Sequence, residues 1–361
     1  MLCDAARTRR FQPTSRFLIC YTFGGLRWDR AEGALQMSDM VNIGFIGCGG
    51  NARGHMRRLA EVPGARIVAV CDVVQDLADQ AAAETGATAY TDHRAMLERS
   101  DLHAAYLSIP VFAHGAPEND VIDRGIPFLV EKPVAIDMPT ARALEKRVRE
   151  SGLITAVGYQ LRYSGTADLA RQLLASARVG LVSGRYWCAS GAGDPTRWLR
   201  QMARSGGQLV EQATHTIDMM RFLAGEITEV HCASASQVLK EIDCPDFNAV
   251  NLKFASGAVG SLTTSWAFAQ GWSNTNVLDI LFEDQGLNWT YTRLTHLHGG
   301  QVEEHTLPTR SIDQIFVDAV RNGDGSEIRS PYSDAVVSLA VSLAMNESAR
   351  TGAPVRISDM G

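Results

Sequence analysis

Glu211 and His215 stand four residues apart in the stretch SGGQLVEQATHTID, Ser205–Asp218. Positions i and i+4 share one face of an α-helix, so the spacing predicts a carboxylate and an imidazole projecting together. Asp218 and Phe222 continue that stripe, while Leu209, Ala213, Met220 and Leu223 fall on faces that bury the helix. Ser205 reads as its N-cap, with Gly206 and Gly207 at its start, where glycine costs least and lets backbones approach. An imidazole with an ordinary pKa of about 6.5 suits proton abstraction near neutral pH. The glutamate beside it can orient the ring or bind a hydroxyl. The two could equally be an intrahelical pair without a ligand. No paired third ligand accompanies them, so no metal site is expected.

A lysine with chemical potential stands in VEKP, Val130–Pro133, at the end of an apolar run. Pro133 restricts Lys132 to an extended backbone. In open α/β sheets ligands bind at the carboxyl ends of the strands, which is where this lysine falls. A third motif, Gly47-Cys48-Gly49-Gly50-Asn51-Ala52, is GxGxxA. Gly47 permits a tight strand-to-helix turn, Gly49 lets backbone approach a pyrophosphate, and Ala52 lets the helix pack closely. Gly50 and Asn51 open the helix, whose free N–H groups and dipole favour an anion. Asp72, 25 residues beyond Gly47, ends the next apolar run and can accept ribose hydroxyls. It would repel a 2′-phosphate, and Val73 and Val74 offer no cation for one. NAD is therefore expected over NADP.

These residues need a frame that holds them together. The apolar runs Val41–Gly47, Arg66–Asp72, Ala104–Pro110, Pro127–Pro133 and Leu153–Tyr159 read as buried strands. Helix-compatible segments His55–Glu61, Val74–Thr85, Ala116–Arg124 and Met138–Ser151 separate them, which is the grammar of βαβ units and a parallel sheet. After Arg162 come a helix over Thr166–Ala177, a β-like VSGRYWCAS, and one long helix ending near Gly225. Strands over Glu229–Val238, Asn248–Phe254, Ala258–Ala267 and Val277–Phe282 follow, then helical sequence from Ser311 to Arg350. The predicted fold class is α/β: an N-terminal Rossmann-type parallel-sheet domain over 39–160, then an α+β domain over 161–361 with a large, mostly antiparallel open sheet. Residues 1–38 read as an extension outside the fold, with Met37 or Met40 opening the domain. They contain no proper export signal.

The chain has 361 residues, 45% hydrophobic and 20% charged, with net charge −6 and no basic run. A nucleic-acid partner is disfavoured, and no apolar run is long enough to span a bilayer. Seven cysteines without a CxxC pair argue against a disulfide framework and for a cytoplasmic setting. Cys48 and Cys71 read as small core residues.

The ordered set GCGGNARGH (47–55), VCD (70–72), EKP (131–133), VGYQLRY (157–163) and GGQLVEQATHTID (206–218) resembles the Gfo/Idh/MocA family, the glucose–fructose oxidoreductase and inositol dehydrogenase type. The resemblance runs from about Met40 to the C-terminus, including a closing helix expected to pack back on the first domain. It implies an NAD(P)-dependent oxidoreductase acting on a sugar, inositol or related polyol. It implies that Lys132 contacts substrate and nicotinamide, and that Glu211 and His215 stand for an Asp-x-x-x-His pair, the glutamate one methylene longer. Ser108, Pro110, His114 and Glu131 then fall beside the cofactor, and Tyr159, Gln160 and Arg162 near the substrate. Trp198 is a further candidate to line the sugar site, and Trp266 and Trp272 to shape a pocket or an oligomer face.

Oxidation of a secondary alcohol needs a base, either His215 or Lys132. An NAD-using hydrolase or epimerase with transient redox is an alternative, as is a non-catalytic NAD and sugar sensor. An open sheet face predicts a homodimer or homotetramer. His296, His298 and His305 read as surface residues of a strand-and-turn region.

Overall fold

The structure is a computed structural model that describes residues 40–99, 101–189, 194, 196–268 and 275–361. The expected N-terminal extension and Trp272 lie outside the described residues. The first half runs β1 (Val41–Ile46), α1 (Gly50–Leu59), β2 (Ala65–Cys71), α2 (Gln75–Thr85), β3 (Thr88–Tyr90), α3 (His93–Leu97), β4 (Ala104–Leu107), α4 (Ala116–Asp123), β5 (Phe128–Val130), α5 (Met138–Ser151) and β6 (Thr155–Val157). Its six strands are all parallel, in the order β3-β2-β1-β4-β5-β6. That is the doubly wound dinucleotide-binding order, with its switch point between β1 and β4.

Every residue of β1 is buried because helices cover both faces of the sheet. Ile43 and Phe45 pack on one side with Met56 and Leu59 of α1. Ile46, Leu107 and Val130 pack on the other with Ala141 and Leu144 of α5. The boundaries of α5 coincide with those read from sequence; Asp137 caps it, its carboxylate accepting from the Thr140 N–H at 2.8 Å.

The second half runs α6 (Gly165–Leu174), β7 (Val179–Trp187), α7 (Met202–Ser205), α8 (Gly207–Glu211), α9 (Thr214–Ala224), β8 (Ile227–Ala235), β9 (Phe247–Phe254), β10 (Val259–Ser265), β11 (Thr275–Phe282), β12 (Gln285–Trp289), β13 (Leu294–His298), β14 (Gln301–His305), α10 (Ile312–Asn322), α11 (Tyr332–Thr351) and β15 (Val355–Arg356). Its nine strands are ordered β14-β13-β12-β11-β7-β10-β9-β8-β15, antiparallel except for the β7–β10 pair. One face packs on α6, α9 and α11 through Val182, Leu262, Leu278, Ile280 and Phe282.

The last two helices tie the halves together. Ile315 and Phe316 of α10 join the cluster beneath β1. Tyr332, Val336 and Leu339 of α11 pack with α5, whereas Val341, Ala344 and Met345 pack beneath the large sheet.

The expected single helix from Ser205 to Gly225 is three pieces. Gly206 (φ 72°) ends α7 in the left-handed region, and a Cβ there would lie 2.7 Å from Val210 Cβ. Ser205 therefore ends α7 rather than capping the long helix, although its Oγ accepts from the Gly207 N–H at 3.0 Å. A second break falls at Gln212–Ala213, where both N–H groups donate to the Gln208 carbonyl, at 3.1 and 2.8 Å. The Ala213 bond spans five residues, a single π-type turn.

Candidate active site

A cleft of about 510 Å³ opens between the carboxyl end of the parallel sheet and the α8–α9 segment. Gly50, Asn51, Gly54, His55 and Arg58 of α1 line one side of it. Glu131, Lys132 and Gln160 come from the ends of β5 and β6. Glu211, Gln212 and His215 come from the α8–α9 break, and Tyr186 from β7. The backbone step at Gln212 thus keeps Glu211 and His215 on the same cleft, although they do not share one continuous helix.

The glycine turn is built as its sequence requires. Gly47 has φ 94°, and a Cβ there would sit 2.1 Å from the Ser108 carbonyl oxygen. Gly49 is the N-cap of α1 with no side chain capping it, and no atom lies within 4 Å of where a side chain on Gly49 or Gly50 would begin. An uncapped helix N-terminus with open space in front of it fits a pyrophosphate. Asp72 accepts from the Cys48 N–H at 2.8 Å and the Val74 N–H at 2.9 Å, so its carboxylate is fixed at this turn. Val73 is 90% exposed beside it. Cys48 and Cys71 are buried, and burial pushes both thiols up to about 12.

Lys132 is nearly buried, and its peptide bond to Pro133 is cis. Its Nζ donates to the Glu211 carbonyl oxygen at 2.6 Å and stands 3.6 Å from Glu211 Oε1. Glu211 Oε2 and His215 Nδ1 are buried polar atoms with no hydrogen-bond partner among the described residues. The His215 pKa falls to about 3, chiefly because the ring is buried and also because the Lys132 ammonium is near. The imidazole is therefore neutral, and its Nδ1 has no partner in the cleft wall.

Sequence reasoning missed a relay behind these groups. His55 Nε2 meets Glu131 Oε1 at 2.8 Å, and His55 Nδ1 meets Asp313 Oδ1 at 2.5 Å. Arg58 Nε donates to the other Asp313 oxygen at 2.5 Å. Burial works against the imidazolium, yet hydrogen bonds to Asp313 and Glu131 outweigh it and raise His55 to about 9. Against the same burial, His55 holds Glu131 down at about 2. His55 was visible in the quoted GCGGNARGH; Asp313 lies 258 residues further on and carried no local signal. Gln212, which accepts from Trp266 Nε1 at 2.5 Å, was likewise missed. That bond and full burial place Trp266 in the wall behind the cleft rather than on an oligomer face.

Other predicted residues lie elsewhere. Arg162 is buried, not in the cleft: Nε and Nη2 hold Asp218 at 2.8 and 2.6 Å, Nη1 holds the Arg329 carbonyl at 2.6 Å, and Asp334 completes the pairing. Asp218 consequently leaves the expected polar stripe. Tyr159 is buried behind His215, its OH 2.7 Å from Thr214 Oγ1 and its ring edge-on to the imidazole at 6.0 Å. Trp198 meets Phe112 edge-on at 6.2 Å and does not line the cleft. Ser108 stays at the end of β4 beside Gly47, and Pro110 precedes the short 3-10 turn Val111–Ala113. The His114 side chain is buried against Glu118, Nδ1 to Oε1 2.5 Å.

A doubly wound parallel sheet, an open glycine turn at its switch point and a lysine–histidine pair in front of it define a nicotinamide-dependent oxidoreductase. Residues 41–159 match the family model described as oxidoreductase family, NAD-binding Rossmann fold, and residues 168–287 match the Gfo/Idh/MocA C-terminal domain. The chain belongs to the Gfo/Idh/MocA family. It is 25% identical over 346 residues to scyllo-inositol 2-dehydrogenase (NAD(+)) of Bacillus subtilis strain 168, covering 89% of this chain and 97% of that one. It is 29% identical over 198 residues to an inositol 2-dehydrogenase of Streptomyces avermitilis, covering 54% of this chain and 56% of that one. Levoglucosan dehydrogenase in complex with NADH and levoglucosan has the same fold, with a TM-score of 0.79 at 21% identity over 88% of this chain and 99% of that one.

Proposed function

We propose that the protein oxidises a secondary alcohol of a sugar, inositol or related polyol with NAD, and runs the reverse reduction when supply favours it. The observation that carries this is the convergence of Lys132, Glu211 and His215 in front of the open N-terminus of α1. The dehydrogenase names of the relatives support it over the hydrolase, epimerase or sensor readings.

Gly47, Gly49, Gly50, Asn51 and Asp72 hold the dinucleotide. NAD, when bound, accepts the hydride. Lys132 hydrogen-bonds the reacting oxygen and stabilises developing alkoxide charge. His215, neutral and with Nδ1 unpartnered, accepts the hydroxyl proton. Glu211 and Gln160 bind neighbouring hydroxyls, and Tyr159 positions the imidazole. Asp72 beside exposed valines favours NAD over NADP.

The open sheet face suits a homodimer or homotetramer. Val302, Leu297, Leu281, Leu181 and Val259, all at least 39% exposed, form one cross-strand row from β14 to β10, interrupted only by Gly286. A row of that length is a patch that a second copy would cover. The buried free thiols Cys48, Cys71, Cys232 and Cys244 agree with work in the cytoplasm.

The test is nicotinamide absorbance on mixing the protein with NAD or NADP and a panel of inositols, aldoses, anhydrosugars and keto-sugars. Turnover with NAD, reduced about 10²–10⁴-fold in Lys132→Ala, is expected. Cofactor binding without turnover on any member would sink the proposal.

A further inference from the structure

The hairpin β13–β14 turns through Gly299 and Gly300, both at positive φ, which fixes its register tightly. In that register His298 faces Gln301, His296 faces Glu303, and Leu294 faces His305. Alternation therefore puts His296, His298, Glu303 and His305 on one side of the hairpin, as His-x-His on one strand and Glu-x-His on the next. Thr295, Leu297, Val302 and Glu304 take the other side.

One ligand atom from each of His296, His298 and Glu303 lies within 4.8 Å of the other two. His298 Nε2 is 3.2 Å from Glu303 Oε1, and His305 Nε2 is 3.6 Å from Glu303 Oε2. Ligands at 2.0–2.1 Å around a tetrahedral zinc ion are separated by about 3.4 Å, so the 3.2 Å gap between His298 and Glu303 matches one edge of such a site. The cluster has a rigid side. His296 is buried, stacks on Phe282 at 6.3 Å and meets Gln285 Oε1 through Nε2 at 2.8 Å. Gln285 can only accept there, so Nε2 carries the proton and Nδ1 keeps the lone pair, as an outer-shell partner sets a ligating ring. His296 is thus not the surface residue its sequence context suggests.

The geometry points to a zinc site on the β13–β14 hairpin, with His296, His298 and Glu303 as three ligands, water in the fourth position, and His305 beside the free carboxylate oxygen. None of the four lines the catalytic cleft. Among the described residues β14 pairs only with β13, and it is largely exposed, so a bound ion would staple the outermost strand to the sheet.

The test is calorimetric titration of the chelator-treated full chain with zinc chloride, with cobalt(II) absorption as a report on geometry. One zinc per chain, a tetrahedral cobalt spectrum and a raised Tm are expected. His298→Ala and Glu303→Gln, both at partly or fully exposed positions, should each weaken binding at least about 10-fold and leave alcohol oxidation unchanged. Glu303→Gln keeps the side-chain shape and guards against a folding artefact in the alanine variant. Absence of binding, or binding that both variants retain at full strength, would overturn the site and leave Glu303 as a hydrogen-bond acceptor for two imidazoles.

Discussion

Glu131 and His55 are joined at 2.8 Å, one residue from the Lys132 that lines the cleft. The bond ties the end of β5 to helix α1, so the lysine and the glycine turn are held by one buried charge pair. His55 also carries Asp313 on its other nitrogen, which anchors α10 to the same point.

That arrangement fixes a pH dependence. His55 rises from about 6.5 unfolded to about 9 folded, so the folded state binds the extra proton between those values. Its contribution is complete below pH 6.5 and is lost as pH rises through about 9. Thermal melts should show Tm falling over that window. His55→Asn should lower Tm at pH 6 and flatten the alkaline slope. Equal slopes in the two proteins would contradict the buried imidazolium.

His215 works in the opposite direction. Its folded pKa of about 3 lies below the unfolded 6.5, so the unfolded chain takes the proton first as pH falls. Its stabilisation is present above pH 6.5 and is lost progressively towards pH 3. His215→Asn should therefore lose less stability on acidification than the parent, while its kcat falls about 10²–10⁴-fold. The kcat/KM profile of the parent should carry no inflection near 6.5 from this residue. A His215→Asn variant within a few-fold of parental turnover would shift the proton to Lys132.

Arg162 separates a structural from a substrate-binding role. Removing one partner of its buried pair with Asp218 leaves an uncompensated charge, at a cost of about 3–5 kcal/mol. Arg162→Ala should accordingly show a lower denaturation midpoint. In the fraction that folds, KM should stay near the parental value. A large rise in KM with unchanged stability would return the guanidinium to the substrate.

The exposed leucine row gives a test of assembly. Leu281→Asp places a charge where Leu181 and Gly286 flank it across the strands. Light scattering should show a smaller species than the parent, with far-UV circular dichroism unchanged. An unaltered mass would put the interface elsewhere.

Local chemistry made much of this site legible. The glycine turn, Asp72 and Lys132 could be read directly, because each depends on a few neighbouring residues and a strand period; Glu211 and His215 were picked out by a helical spacing that the break at Gln212 interrupts, yet they still line one cleft. Met138–Ser151 was legible to the residue because a caps-and-period signal marks both ends. Short strands were not: β3 has three residues, too few to show alternation, and β12 to β14 mix polar and apolar residues on a half-exposed edge. The break at Gln212 was equally hidden, since no proline or glycine marks it; the Gln212 contacts with Trp266 and Cys188 accompany it.

The sequence by itself determined that a nicotinamide-type fold carries a lysine and an imidazole to one end of a parallel sheet. Tertiary structure decided which charges serve the cleft and which serve the fold. Arg162 looked like a ligand group until Asp218 and Asp334 enclosed it, and His55 looked incidental until Glu131 and Asp313 met it from either side. A charged side chain takes its role from the partner that remains once water is removed. That partner came here from up to 258 residues away, a separation over which no local pattern carries information.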